Sequence, residues 1–158
     1  MSRTIKKILR IAFVAYIIIM IWLLFGQRIE VKPLGIYFKN FLLNINLFPF
    51  YTICNFIKSM STNSNTDIIK HSVVNLGGNV IMFIPLGFFL PCIFTKLHTF
   101  GRCMLCASIC IIIIELVQLF TLLGICDVDD FILNMLGSLI GYRLYQVISR
   151  IWRQPYIK

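Results

Sequence analysis

Charge is scarce in this sequence. Only 13% of its 158 residues are Asp, Glu, Lys or Arg, where a soluble domain carries about 25%. The chain is 59% hydrophobic, with a mean hydropathy of +0.88. That leaves too little charged surface to dissolve it, which excludes a soluble domain. There is no arginine-rich tract and no nucleic-acid-binding motif, so the net charge of +9 does not point to DNA or RNA. The pair Gly77-Gly78 lacks the preceding strand that a phosphate-binding glycine loop requires. No internal repeat is visible, and nothing indicates a cofactor. The two histidines, His71 and His98, lie apart from the polar cluster described below.

Six cysteines are present. Cys92, Cys103, Cys106 and Cys110 lie in or beside apolar runs, where a free thiol behaves as a small hydrophobe. Cys103, Cys106 and Cys110 share one helix face, but no fourth ligand stands near them, so no metal site is expected. Cys54 and Cys126 fall in predicted loops on one side of the membrane; sequence leaves open whether they pair.

The apolar residues are organised in runs. A membrane crossing takes roughly 20 apolar residues, and four runs qualify, at about 8–25, 74–94, 104–123 and 131–148. The expected fold is therefore an all-α integral membrane bundle of about four transmembrane helices. Residues 1–10 form a basic N-terminus, 11–148 the transmembrane domain, and 149–158 a basic tail. No small-x-small cleavage site follows Phe25, so the first run reads as an uncleaved helix. Pro85 removes a backbone donor within the second run, which predicts a kink.

Residues 27–73 form a long connection. From Val31 to Phe50 it mixes apolar residues with Lys32 and Lys39, the composition of a segment lying in the membrane interface. Ser61 to Thr66 reads as a polar loop. The turns at Lys96–Arg102 and Gly124–Asp130 are short, basic and acidic respectively.

Orientation follows from the basic residues. The N-terminus, the Lys96–Arg102 turn and the segment from Arg143 onward together hold ten Lys and Arg, against five in the long connection. This places both termini in the cytoplasm. The long connection and the Asp-rich turn then face outward.

Against this apolar background a few polar residues stand out. Glu115 sits inside the third run, and Gln118 lies three residues later on the same helix face. A charge at that depth costs a few kcal/mol, and such residues normally face the bundle interior. Asp127 is placed to cap the fourth helix, with Asp130 three residues on, both favoured by the helix dipole. Asp130, Asn134, Gly137 and Gly141 form one stripe, and the glycine pair suits close helix approach. Asn75 and Asn79 share a face at the start of the second run, with Gly78 beside them; Gly78, Pro85 and Gly87 join Gly137 and Gly141 as packing positions. Asn46 ends the amphipathic stretch.

Counting 1.5 Å per residue, Asn79, Asn134, Glu115 and Gln118 all fall in the outer half of the bilayer. This predicts an outward-facing polar pocket floored by Glu115 and rimmed by Asp127, Asp129 and Asp130. The plainer reading of Asn75 and Asn79 alone is interhelical glue, and that of Asp127 and Asp129 is capping or a solvated turn. A structural hydrogen bond is the plainer reading of Glu115.

The segments Asn46-Leu-Phe-Pro-Phe50, Asn75-Leu-Gly-Gly-Asn79, Phe83-Ile-Pro-Leu-Gly87, Glu115-Leu-Val-Gln118, Asp127-Val-Asp-Asp130 and Asn134-Met-Leu-Gly137 occur in this order over roughly residues 8–148. In this combination the chain resembles the VanZ-like family of small bacterial membrane proteins. The resemblance implies a bacterial plasma-membrane protein with a role in the cell envelope. The family's namesake is associated with resistance to the glycopeptide antibiotic teicoplanin.

Three functions are then expected to compete. The first is a surface protein that meets a glycopeptide or its lipid-linked cell-wall precursor. The second is a membrane enzyme using Glu115 and Asp130 on an envelope lipid or peptide; no His lies in the cluster and no nucleophile is visibly paired with a base, which weighs against catalysis. The third is a proton-coupled transport module or partner subunit, disfavoured by four helices without a repeat. Besides the lipid bilayer no partner is specified, and the oligomeric state is not legible.

Overall fold

The computed structural model describes residues 3–26, 45–62, 66–121, 123 and 126–153. In chain order the elements are α1 (Arg3–Phe25), β1 (Ile45–Asn46), α2 (Tyr51–Thr62), α3 (Thr66–Ile93), a 3-10 turn (Thr95–Leu97), α4 (Phe100–Thr121), β2 (Cys126–Asp127) and α5 (Val128–Arg153). Four of these helices are long and apolar enough to cross a membrane: Arg3–Phe25, Val73–Ile93, Phe100–Thr121 and Val128–Ile151. The architecture is the expected all-α membrane bundle. Exposed Ile8, Ile11, Ile18, Ile81, Leu105 and Ile113 cover its outer faces, which hydrocarbon solvates and water would not.

The helix ends differ from those read in the sequence. Helix α4 begins at Phe100, so Arg102 lies in its first turn and not in the basic connection, and it ends at Thr121. Helix α5 begins at Val128, which draws Asp129 and Asp130 out of the acidic turn and into the helix. Helix α3 starts at Thr66, ahead of its apolar run. Hydropathy locates hydrocarbon, whereas backbone hydrogen bonding continues past it into the interface. The expected interfacial segment lies mostly outside the described residues; of it, 45–50 are described.

Helix α3 is the hub. It packs most extensively on α5, and α1 leans on its other side. The close α3–α5 approach rests on glycine. A Cβ at Gly87 would meet Ser138 O at 1.9 Å, one at Gly137 would meet Val80 O at 2.1 Å, and one at Gly141 would meet Ile84 O at 1.9 Å. At all three positions the missing Cβ lets backbone approach backbone. At Gly78 nothing lies within 4 Å of a Cβ built there, because position 78 is on the face of α3 opposite Val80, Ile84 and Gly87. Helix α3 runs unbroken through both Pro85 and Pro91. Pro91 is fully buried.

Helix α4 buries Cys103, Ala107, Ile111, Glu115, Gln118 and Leu119. The four-residue spacing from Cys103 to Glu115 marks a single face. Around Phe83, Leu86, Leu90, Ile111 and Tyr142 this face closes the core. Helix α1 attaches through Phe13, Tyr16 and Ile17. The Tyr16 hydroxyl donates to Met82 O at 3.0 Å, and Phe13 meets Phe89 with ring centroids 5.8 Å apart. These contacts make α1 antiparallel to α3.

Candidate functional site

One end of the bundle is built around the acidic turn. The two short strands pair in parallel, Ile45 with Cys126 and Asn46 with Asp127, so the middle of the long connection lies directly on the entry to α5. Side chains reinforce the pairing. Asp127 Oδ2 accepts from Asn46 Nδ2 at 3.1 Å and from Thr52 Oγ1 at 2.5 Å, and Asn46 Nδ2 also donates to Thr52 Oγ1 at 2.9 Å. Asp127 Oδ1 accepts from the Asp129 backbone N–H at 2.9 Å, the bond of an N-cap residue to the second helical position.

Asp129 caps a different helix. Its Oδ2 accepts from Ile53 N at 3.0 Å and its Oδ1 from Phe50 N at 2.5 Å. Cys54 N donates to Phe50 O at 2.9 Å, so Phe50 is the N-cap position of α2 and Ile53 the third helical residue. Phe50 has no side-chain oxygen to cap with; a carboxylate 79 residues away in sequence performs that task. It also places negative charge at the positive end of the α2 dipole. Phe50 adopts φ 64°, an unfavourable region for a bulky side chain, and its bond to Asp129 holds it there.

Asp127 and Asp129 are thus buried, 6% and 0% exposed. They do not form the exposed rim expected from the sequence. Apart from the Asp129 N–H, their hydrogen-bond donors come from Asn46, Phe50, Thr52 and Ile53, at β1 and the start of α2, elements that the apolar pattern did not reveal.

Deeper in the bundle, Asn79 on α3 donates through Nδ2 to Asp130 Oδ1 on α5 at 2.5 Å. Glu115 on α4, 6% exposed, lies within electrostatic reach of Asp130 and Asp127, with the Asp127 backbone N–H as a hydrogen-bond partner. Its second oxygen, Oε2, has no hydrogen-bond partner among the described residues. The same holds for Asn134 Oδ1 and Ser138 Oγ, both buried on α5. A buried polar atom without a partner is costly, and native structures rarely keep one without a reason.

Of the residues singled out in the sequence, Asn46, Asn79, Glu115, Asp127 and Asp130 are thus linked by contacts at one end. Gln118 is buried on the Glu115 face, and Asn134 lies one turn below Asp130 on α5. Asn75 is half-buried, and no contact here ties it to the cluster. Among the described residues no group of three His, Cys, Asp and Glu side chains is arranged to hold a metal ion, and all six cysteines are free.

Thr52 and Ser138 escaped the sequence reading. Ser138 was accessible to it, since Asp130, Asn134 and Ser138 recur every four residues. Thr52 carried no signal of its own.

A family model described as VanZ/LLP1 matches residues 13–149, nearly the whole chain. The chain belongs to the VanZ-like family. No curated protein and no solved structure matches it. The matched region takes in every element of this VanZ-like bundle from the body of α1 to the last turns of α5, and so includes both acidic caps, Glu115 and the glycine contacts.

Proposed function

We propose that this VanZ-like protein acts at the bacterial cell envelope and lowers the action of teicoplanin-type glycopeptides, through a polar site centred on Glu115 at the outward end of the bundle. The observation that carries this reading is the Glu115 carboxyl. It is buried among apolar helices, beside Asp130 and Asp127, with one oxygen that no described residue engages. An inert bundle gains nothing from such a group, and an ionisable side chain within a membrane span is a functional candidate by default. The distribution of Lys and Arg supports the orientation, because the basic ends belong to the cytoplasmic side. The acidic end then meets the compartment where glycopeptides and lipid-linked precursors occur.

The test is expression of the full chain in a susceptible bacterium, with inhibitory concentrations measured for teicoplanin and vancomycin. A rise for teicoplanin that is abolished by Glu115→Gln is expected. No change for either drug overturns the reading. Orientation is checked separately: Cys54 is exposed on α2 and should react with a membrane-impermeant maleimide added to whole cells.

A second reading rests on the proximity of Glu115 to Asp130, since two carboxyls in electrostatic contact can divide the roles of general acid and general base. It requires an envelope lipid or muropeptide whose amount changes between wild type and Glu115→Gln. Identical profiles eliminate it.

A further inference from the structure

The opposite end of the bundle holds a different site. A cleft of about 330 Å³ opens there, lined by His98, Tyr142, Tyr145, Gln146, Ser149 and Arg150. Its walls are the turn between α3 and α4 and the C-terminal half of α5. They are held together: the Tyr142 hydroxyl donates to His98 O at 2.8 Å, and the His98 ring stacks on Tyr145 at 6.1 Å with an interplanar angle of 26°. Tyr142 also packs edge-on against Phe100, at 5.5 Å. The cleft is therefore framed by packed aromatic rings.

Its electrostatics are one-sided. Arg150 stands in the lining, and Arg143 donates to Gln146 Oε1 at 3.2 Å. Lys96 lies on the same turn, in a neighbouring depression formed by residues 93–97. Because α1 is antiparallel to α3, its Arg3, Lys6, Lys7 and Arg10 lie toward this end. No Asp or Glu occurs in residues 1–26, 68–114 or 131–158, so the helices and the turn that build this end carry no carboxylate here. The surroundings are apolar: Phe94, Phe100 and Ile151 are exposed beside it. A basic cleft at the end of membrane spans, with aromatic walls and an apolar margin, matches one chemical group. That group is the phosphodiester head of an anionic phospholipid, whose acyl chains continue along the bundle.

We propose that the cleft between the His98 turn and α5 binds the headgroup of an anionic phospholipid, with Arg150 and His98 facing its phosphate. Arginine offers a planar fork of donors to phosphate oxygens. The site is separate from Glu115 and does not depend on the role proposed for that residue.

Native mass spectrometry of the purified full-length protein, delipidated and then offered phosphatidylglycerol or phosphatidylcholine, tests this. Wild type should retain phosphatidylglycerol in preference to phosphatidylcholine. Arg150→Gln should reduce that preference about five-fold, the equivalent of about 1 kcal/mol for one cation near the surface. The double variant with His98→Gln should lose it. Arg3→Gln, at the same end but outside the cleft, should leave it in place. An equal loss on Arg3→Gln would show diffuse surface charge and overturn the site. Displacement of the lipid by millimolar inorganic phosphate would make it a site for free phosphate and overturn the lipid assignment. Retention of both lipids alike by wild type would overturn it outright. Arg150 is exposed, and unchanged helical circular dichroism would show that its replacement leaves the fold intact.

Discussion

The Asn79 amide donates to the Asp130 carboxylate across 2.5 Å, joining α3 to α5 beside Glu115. A hydrogen bond to a charged group contributes about 1.5–3 kcal/mol, whereas interhelical bonds in membranes average nearer 0.6 kcal/mol. Asn79→Leu fills similar space and removes this donor from Asp130. A loss of about 1–2 kcal/mol in unfolding free energy is expected, measured by denaturation in mixed micelles. Asn79→Gln should recover part of it. A neutral Asn79→Leu would mean that the bond is not made in the membrane.

Asp129 carries a prediction about a helix it does not belong to. Asp129→Ala removes the acceptor of both Phe50 N–H and Ile53 N–H, and loss of a cap costs about 0.5–2 kcal/mol. The change should concentrate in α2. Hydrogen exchange of its first-turn amides should accelerate by roughly ten-fold, in keeping with that cost, while exchange in α4 stays as in wild type. Asp129→Asn keeps one acceptor oxygen and should fall between. Uniform acceleration over the whole bundle would contradict a local capping role.

The glycines divide into two classes that sequence alone does not separate. Alanine at Gly87, Gly137 or Gly141 would bring Cβ to within 1.9–2.1 Å of backbone oxygen on the facing helix. The helices must part, at a cost of about 1–3 kcal/mol or more, the range of overpacking. Alanine at Gly77 or Gly78 meets nothing within 4 Å and removes a flexible residue from a helix interior, a gain of up to about 1 kcal/mol. Thermal unfolding of the five variants in detergent should place the first three below wild type and the last two at or above it.

Cys126 offers a measurement by pH. Burial pushes its thiol above the usual range, and the neighbouring Glu115 and Asp127 carboxylates add to the effect. A raised thiol holds less thiolate at a given pH, and the thiolate is the nucleophile. Alkylation of Cys126 should therefore lag behind that of exposed Cys54 at neutral pH, and the lag should narrow as pH rises. At alkaline pH Glu115→Gln removes one of the repelling charges and should speed the reaction at Cys126 without altering it at Cys54. No response to Glu115→Gln would show that the Glu115 charge is not felt at Cys126.

Periodicity and composition determined the bundle before any coordinates. Residues too apolar for water, in runs long enough to span hydrocarbon, have few stable arrangements other than helices. Glu115 and the Asp130–Asn134–Gly137–Gly141 stripe were legible for the same reason: a polar or small residue is conspicuous where apolar residues are the rule. The facing of α4 was legible only through Glu115 and Gln118, because the run from Cys103 to Ile114 is apolar on nearly every side and there neighbouring helices decide which stripe is covered. Gly78 and Gly87 look alike in sequence, yet only one meets a backbone oxygen. The pairing of Asn46 with Asp127, the Thr52 contact and the capping of α2 by Asp129 join residues 75 or more positions apart. Local propensity holds no record of such contacts. The chain by itself thus determined that four helices enter the membrane and that Glu115 goes with them. Only the tertiary structure decided that Asp129 turns away from its own helix to cap α2 and that Asp127, the cap legible in the sequence, also holds Asn46 and Thr52, since a carboxylate faces whichever unpaired donors the folded chain brings to it.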